Sequence, residues 1–300
     1  MTSSEPVIDA CRKLIQEQCL PAEFMQVVTE TYLPLADMLL SRVADQPLMV
    51  NINGAQGTGK STLTSFLKLI LETQLNAPVA AFSLDDFYSP YEQRQQTGKD
   101  IHPLLKTRGV PGTHDLELMD EVIDKLLHGK PADVPQFDKA IDDRHEKNQW
   151  HRYERPVKVV LFEGWCNHSP SQDSEQLQQP INELEANEDA DGTWRQYANT
   201  RLIEYHQRVF SRADLCLMLR SPDFEHVYQW RLLQEQKLRE STPADQAHRL
   251  MDDSALKRFI QHYERITRHT LDHLPEKADI TLPVRPDHSI AGIINRHAAD

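Results

Sequence analysis

Residues Gly54 to Ser61 read Gly-Ala-Gln-Gly-Thr-Gly-Lys-Ser and directly follow the apolar run Leu48-Met49-Val50-Asn51-Ile52. A helix-compatible stretch, Thr62 to Leu75, comes next. Glycines at this spacing let the backbone curl so that several N–H groups point inward at phosphate oxygens. The helix N-terminus adds partial positive charge at the same place. In such a P-loop the lysine reaches the outer phosphates and the following hydroxyl ligates magnesium, which assigns those roles to Lys60 and Ser61. A glycine-rich turn can match by accident, but a strand before it and a helix after it are the setting the chemistry requires. Gly54, Ala55, Gln56, Gly57, Thr58, Gly59, Lys60, Ser61 and Thr62 are therefore the expected nucleotide-binding residues.

Two further apolar runs deliver carboxylates. The expected strand Pro78 to Leu84 leads straight into Asp85-Asp86-Phe87-Tyr88, and Val157 to Phe162 leads into Glu163-Gly164-Trp165. Ligands of open α/β sheets gather at the carboxyl ends of the strands, where the P-loop also lies. Adjacent carboxylates there can supply a proton acceptor and a magnesium partner, as phosphoryl transfer to an alcohol requires. An Asp pair at a strand end can equally cap a helix, and the two roles are not exclusive. Glu163 is placed to help hold a nucleotide's magnesium. The expected metal set is thus Ser61, Asp85 and Glu163, with Mg2+ and ATP as cofactors.

Cations collect between those strands. Lys106, Arg108 and His114 flank a Gly109-Val110-Pro111-Gly112 turn, and Asp115 is placed to cap the next helix. Lys139 follows Phe137-Asp138, and Arg144 and His145 follow shortly after. In an acidic chain these groups are candidates to hold a carboxylate- or phosphate-bearing acceptor, although singly each reads as a solvated surface charge. Asp86, Tyr88, Arg108, His114, Lys139 and Arg144 form the candidate acceptor set. After Leu219-Arg220-Ser221-Pro222, a helix carrying Trp230 and Arg231 and then Lys237 and Arg239 is the candidate lid, near 220–245. A lid excludes water so that transfer outruns hydrolysis, and Arg231 there could offset charge on the transferring group. His262, Tyr263, Glu264, Arg265 and Arg268 read as surface or packing.

The elements that must position these residues alternate strand and helix, with further strands expected at Leu215 to Leu219 and Ile280 to Val284. Helical patterns cover roughly 115–128, 194–210, 223–240 and 252–271. Continuous apolar strands joined by helices imply right-handed crossovers and a mostly parallel sheet between helical layers. Residues 1–45 read as an N-terminal helical layer, with Pro34 in the first turn of a new helix. The stretch from Pro103 to Pro156 shows little pattern beyond one helix, and Ser169 to Asp191 reads as a solvated acidic insertion. No Gly/Ser linker divides the 300 residues, so one domain is expected. With 46 acidic against 33 basic residues and a formal charge of −13, a nucleic-acid or anionic-membrane surface is not expected. The four scattered cysteines have no metal-ligand spacing, and no basic-then-apolar leader or membrane-length run is visible, which together read as a cytoplasmic protein. Oligomeric state is not legible.

The P-loop together with Asp85-Asp86-Phe87-Tyr88, Gly109 to Asp115, Phe137-Asp138-Lys139 and Phe162-Glu163-Gly164-Trp165 resembles the phosphoribulokinase, uridine kinase and pantothenate kinase group. More narrowly, Arg108 to Asp115, Phe137 to Ala140, Asn182 to Glu185 and Asp191 to Arg195 resemble D-glycerate 3-kinase and its relatives, over roughly residues 45 to 285. The resemblance implies a P-loop three-layer sandwich with an N-terminal helical extension. It also implies Asp85 as catalytic base near magnesium, Ser61 and Glu163 completing the metal site, and Lys60 with the backbone from Gly57 to Thr62 on the phosphates. Asn182 and Glu183 would lie near the acceptor. Ala140-Ile141-Asp142-Asp143-Arg144 departs from the family, where Ser and a Gly-Asp-Arg turn are expected. The expectation is an ATP-dependent kinase of a small hydroxy acid, with Asp85, Lys60 and Arg231 catalytic. The alternatives are a nucleoside or pantothenate kinase and, from another class, a P-loop ATPase or switch with no small acceptor. Against a switch, no Asn-Lys-x-Asp guanine-reading stretch is present.

Overall fold

The computed structural model describes residues 5–241 and 252–297. Helix α1 (Glu5–Glu17) buries Val7, Cys11 and Ile15, one residue per turn on a single face. Helices α2 (Phe24–Val27) and α3 (Leu33–Leu40) are joined by a wider π turn over Val28–Tyr32. Pro34 stands in the first turn of α3, as expected, and the wider turn before it accommodates the missing N–H. Strand β1 (Leu48–Gly54) runs two residues past its apolar stretch into the P-loop, and α4 (Lys60–Leu75) follows. Next come β2 (Val79–Ser83), α5 (Tyr91–Asp100) and α6 (Leu116–Leu127). Asp115 caps α6, accepting from the Leu118 N–H at 3.1 Å, as expected.

The stretch expected to lack pattern holds two small antiparallel ribbons. Strand β3 (Ala132–Val134) pairs with β6 (His151–Tyr153), and β4 (Phe137–Asp138) pairs with β5 (Asp143–Arg144). Strands this short are set by their contacts and leave no periodic trace. Strand β7 (Val159–Gly164) precedes α7 (Glu183–Glu188) and α8 (Thr193–Arg208). Then follow β8 (Leu215–Arg220), α9 (Phe224–Ser241), α10 (Asp253–His273), β9 (Ile280–Pro283) and β10 (Ile294–Asn295). The lid expected near 220–245 begins on α9, and its residues 242–245 lie outside the described residues.

The main sheet has the order β10-β9-β8-β1-β7-β2, with all pairs parallel except β10 with β9. Leu48, Val50 and Ile52 of β1 face the layer made by α1 to α4, while Met49 faces α6 and α8 with Phe82 and Phe162. The result is a sheet between two helical layers, as the alternation of elements predicts. Among the described residues no helix is long and apolar enough to cross a membrane. All four cysteines are free, three of them buried.

The acidic insertion is not a solvated loop. It is tied down by Arg265 of α10, which donates to Glu185 at 2.7 and 2.6 Å and to the carbonyls of Gln176 and Gln179. Arg195 and Asp189 form a second buried pair beside it. Removing one partner of such a pair strands a charge away from water. Arg265→Ala is expected to lower unfolding free energy by about 3–5 kcal/mol in a denaturant titration, and a loss below about 1 kcal/mol would show that the pair does not hold the insertion.

Candidate active site

The sheet register assembles the carboxyl ends of three strands. Asn53 lies opposite Gly164, and Ser83 lies opposite Glu163, so the P-loop, Glu163 and the residues after β2 meet on one edge. Gly59, at φ +87, is the N-cap of α4 and offers no side chain to its first turn, which leaves those N–H groups for a ligand. Gly57 is needed twice over: its φ is +84, and a Cβ there would stand 2.8 Å from the Cβ of Trp230 on α9. The P-loop is thereby packed against the helix that carries Arg231.

Ser61 Oγ donates to Glu163 Oε1 at 2.7 Å, and Lys60 Nζ is 3.8 Å from Glu163 Oε2. Glu163 is 6% exposed, and its Oε2 is buried without a hydrogen-bond partner. A buried carboxylate oxygen left open beside a serine hydroxyl suits a hard cation that takes few protein ligands and completes its shell with phosphate and water. Among the described residues no cluster of three or more Asp, Glu, His or Cys could hold a metal unaided.

The Asp pair after β2 divides its two possible roles. Asp86 accepts the Ser83 N–H at 2.9 Å while Ser83 Oγ accepts the Asp85 N–H, a reciprocal cap on a short 3-10 turn. Burial, with the charges of Asp85 and Glu163, raises the Asp86 pKa to about 6. Asp86 does not line the cleft; Asp85 does, its Oδ2 2.6 Å from Lys139 Nζ. Burial alone would raise the Asp85 pKa, but Lys139 and Lys60 outweigh it and hold the carboxyl down at about 2. Asp85 is a carboxylate at any ordinary pH.

The cleft has a volume of about 380 Å³ and is lined by Gln56, Gly57, Gly59, Lys60, Ser61 and Thr62 on one side, with Asp85, Tyr88, Arg108, Lys139 and Arg231 around them. Arg231 reaches it from α9 with a guanidinium nitrogen 3.2 Å from Glu235. Arg108 pairs with Asp142 and lies 5.5 Å from the Phe137 ring centroid. Besides Asp86, two more of the expected acceptor residues are elsewhere. His114 is behind Tyr88, stacked on its ring at 4.4 Å and bonded through Nδ1 to the Tyr205 hydroxyl. Burial lowers its pKa to about 3, so it is a neutral packing group and not an anion-binding cation. Arg144 is turned away as well, its guanidinium shared between the Tyr88 carbonyl at 2.9 Å and Asp115 at 3.2 Å. Asn182 caps α7 and donates to Gln261 and Glu264, and Glu183 pairs with Lys257, so both fasten the insertion to α10 and neither lines the cleft.

Other residues were not expected. Trp165, Gln234, Phe259 and Tyr263 also line the cleft. Tyr263, read from sequence as surface or packing, is close enough to Gly109 that a Cβ there would meet its hydroxyl at 2.6 Å. Trp165 donates its indole N–H to the Gly109 carbonyl at 3.1 Å. The glycines of the 109–112 turn carried the signal of a close approach, but not the identity of what approaches. Behind the wall, Arg94 is 1% exposed and donates to the carbonyls of Ser89 and Lys106 and to Asp142. Asp142 has φ +56, a left-handed conformation that Asp tolerates better than most residues with a side chain.

Comparison with known proteins agrees with this geometry. The chain is 32% identical over 228 residues to the uncharacterized kinase mug58 of Schizosaccharomyces pombe, covering 73% of this chain and 79% of that protein. It is 28% identical over 227 residues to the chloroplastic D-glycerate 3-kinase of Arabidopsis thaliana, covering 72% of this chain and 46% of the plant protein. A uridine kinase of Streptococcus uberis is 32% identical over 124 residues, 40% of this chain. The solved D-glycerate 3-kinase of Cryptococcus neoformans superposes with a TM-score of 0.73 at 24% identity, covering 88% of this chain and 98% of that one, which establishes a common fold. No protein-family model matches the chain. The chain belongs to the phosphoribulokinase, uridine kinase and pantothenate kinase group of P-loop kinases as a D-glycerate 3-kinase-like member, and is an ATP-dependent phosphotransferase.

Proposed function

We propose that the enzyme transfers the γ-phosphate of ATP to an alcohol of a small hydroxy acid, with D-glycerate the preferred acceptor. The observation that carries this reading is the presence, in one cleft with the P-loop, of a carboxylate and two further cations. Asp85 lines the cleft with Lys60 and Ser61, and Arg108 and Lys139 line it as well. An alcohol lying between them has a proton acceptor at hand, and its own carboxylate has cations to meet. The rings of Tyr88, Trp165 and Tyr263 border the Arg108 end, which suits a compact acceptor. The D-glycerate 3-kinase relative aligns over 72% of this chain, whereas the uridine and pantothenate kinases align over 40%.

In this reading the acceptor oxygen attacks in line while Asp85 receives its proton. Lys60 and Arg231 offset charge that builds on the transferring group. Ser61 and Glu163 would hold Mg2+, which would supply positive charge to offset that of the phosphates. Asp85 also serves that site by its negative charge on the same edge of the sheet.

ADP release with MgATP should be strongly stimulated by D-glycerate, and little by L-glycerate, uridine, pantothenate or ribulose 5-phosphate. Stimulation by one of the others alone would replace glycerate as the acceptor, and turnover indifferent to every acceptor would make the protein an ATPase. Asp85→Asn is expected to reduce turnover by about 100- to 10,000-fold while MgATP affinity is nearly kept. Near-normal turnover in that variant would remove Asp85 from the role of base.

A further inference from the structure

The acceptor-side cations of the cleft already have partners, and the two pairs are built differently. Arg108 is held by Asp142, and Asp142 is held in turn by the buried Arg94. Arg144 fastens β5 to the Tyr88 carbonyl and Asp115. The β4–β5 hairpin is therefore anchored on its return arm. Lys139, at its turn, is not: its side chain is 62% exposed and its ammonium reaches across to Asp85, whose side chain is 28% exposed. An ammonium this open to water can turn to another anion more easily than a buried guanidinium can. A firmly seated hairpin thus carries one loosely seated cation, and that cation sits on the oxygen the reaction needs.

We propose that Lys139 is a positioning residue that keeps Asp85 occupied until an anionic acceptor arrives, and so restrains transfer of the γ-phosphate to water. This rests on the reading of Asp85 as proton acceptor for an anionic alcohol. With nucleotide alone in the cleft, the ammonium covers Asp85 Oδ2, and a water molecule at the γ-phosphate cannot pass its proton to that oxygen. An acceptor carboxylate gives Lys139 and Arg108 a second partner. Lys139 then turns to the acceptor, and Asp85 Oδ2 is released at the moment a hydroxyl is delivered to it. The acceptor oxygen forms its bond to the γ-phosphorus, the bond from that phosphorus to ADP breaks, and the hydroxyl proton passes to Asp85. Restraint of hydrolysis would then come from an ion pair as well as from a lid.

The test compares full-length wild type, Lys139→Gln, Lys139→Arg and the double variant Asp85→Asn with Lys139→Gln. ADP release from MgATP is measured without acceptor and across a D-glycerate titration. Lys139→Gln is expected to raise acceptor-free release about fivefold or more and to raise the acceptor KM about tenfold, with the MgATP KM unchanged. Lys139→Arg, which keeps the charge, should return both values towards wild type. The rise in acceptor-free release must vanish in the double variant, because it acts through Asp85. Unchanged or lower acceptor-free release in Lys139→Gln overturns the proposal, as does a rise that persists in the double variant. If wild type ignores D-glycerate, the substrate assignment falls separately, and the acceptor-free comparison still decides the role of Lys139.

Discussion

Everything at this site depends on the parallel register of β1, β7 and β2. Phosphoryl transfer leaves a protein little covalent chemistry to do, so the catalytic problem is to place fixed charges around a group that changes charge. Parallel strands in register end together, and their carboxyl ends point the same way. Because Ser83 is level with Glu163, and Gly164 with Asn53, the P-loop, the buried Glu163 and Asp85 converge without a long loop having to bring them there. A slip of one residue in β7 would turn Glu163 to the other face of the sheet and leave Ser61 without its partner.

The net charge of −13 sets a second problem, since ATP and the acceptor proposed here are anions. The chain meets it locally. Lys60, Lys139, Arg108 and Arg231 each stand near a carboxylate: Glu163, Asp85, Asp142 and Glu235. Cations prepared in this way are already oriented, and they do not repel one another across an empty cleft. The cost is that an incoming anion must share or displace a partner. For Lys139, whose own side chain is 62% exposed, that cost is the smaller one. For Asp142, gripped by a buried arginine, exchange is far less favourable. The hairpin is fixed by one kind of pair and left responsive by the other.

The insertion between β7 and α8 extends the same economy to the far wall. Its buried pairs, Arg265 with Glu185 and Arg195 with Asp189, hold it against α10 and α8. Helix α10 in turn places Tyr263 and Phe259 along the cleft. A segment that looks like solvated acidic chain is thus part of what keeps an aromatic wall upright, through charges that satisfy one another out of water.

The sequence by itself pointed to five of the six strands of the sheet, the phosphate-binding loop and the two carboxylate-bearing strand ends. Continuous apolar runs, a glycine pattern with one backbone meaning and the alternation of strand with helix are local signals, each readable within a few residues. Asp115 as a helix cap is legible for the same reason. The acceptor end was decided by tertiary structure alone. His114 and Arg144 look like cations in a flexible loop, but burial makes one neutral and Tyr88 and Asp115 occupy the other. Asp85 and Asp86 are told apart in sequence only by the family resemblance, and the Ser83 cap is what takes Asp86 and leaves Asp85 to the cleft. Tyr263 lies 154 residues from Gly109 in the chain, and Arg94 lies 48 from Asp142. Such pairings are set by long-range packing and desolvation, which composition and periodicity do not encode.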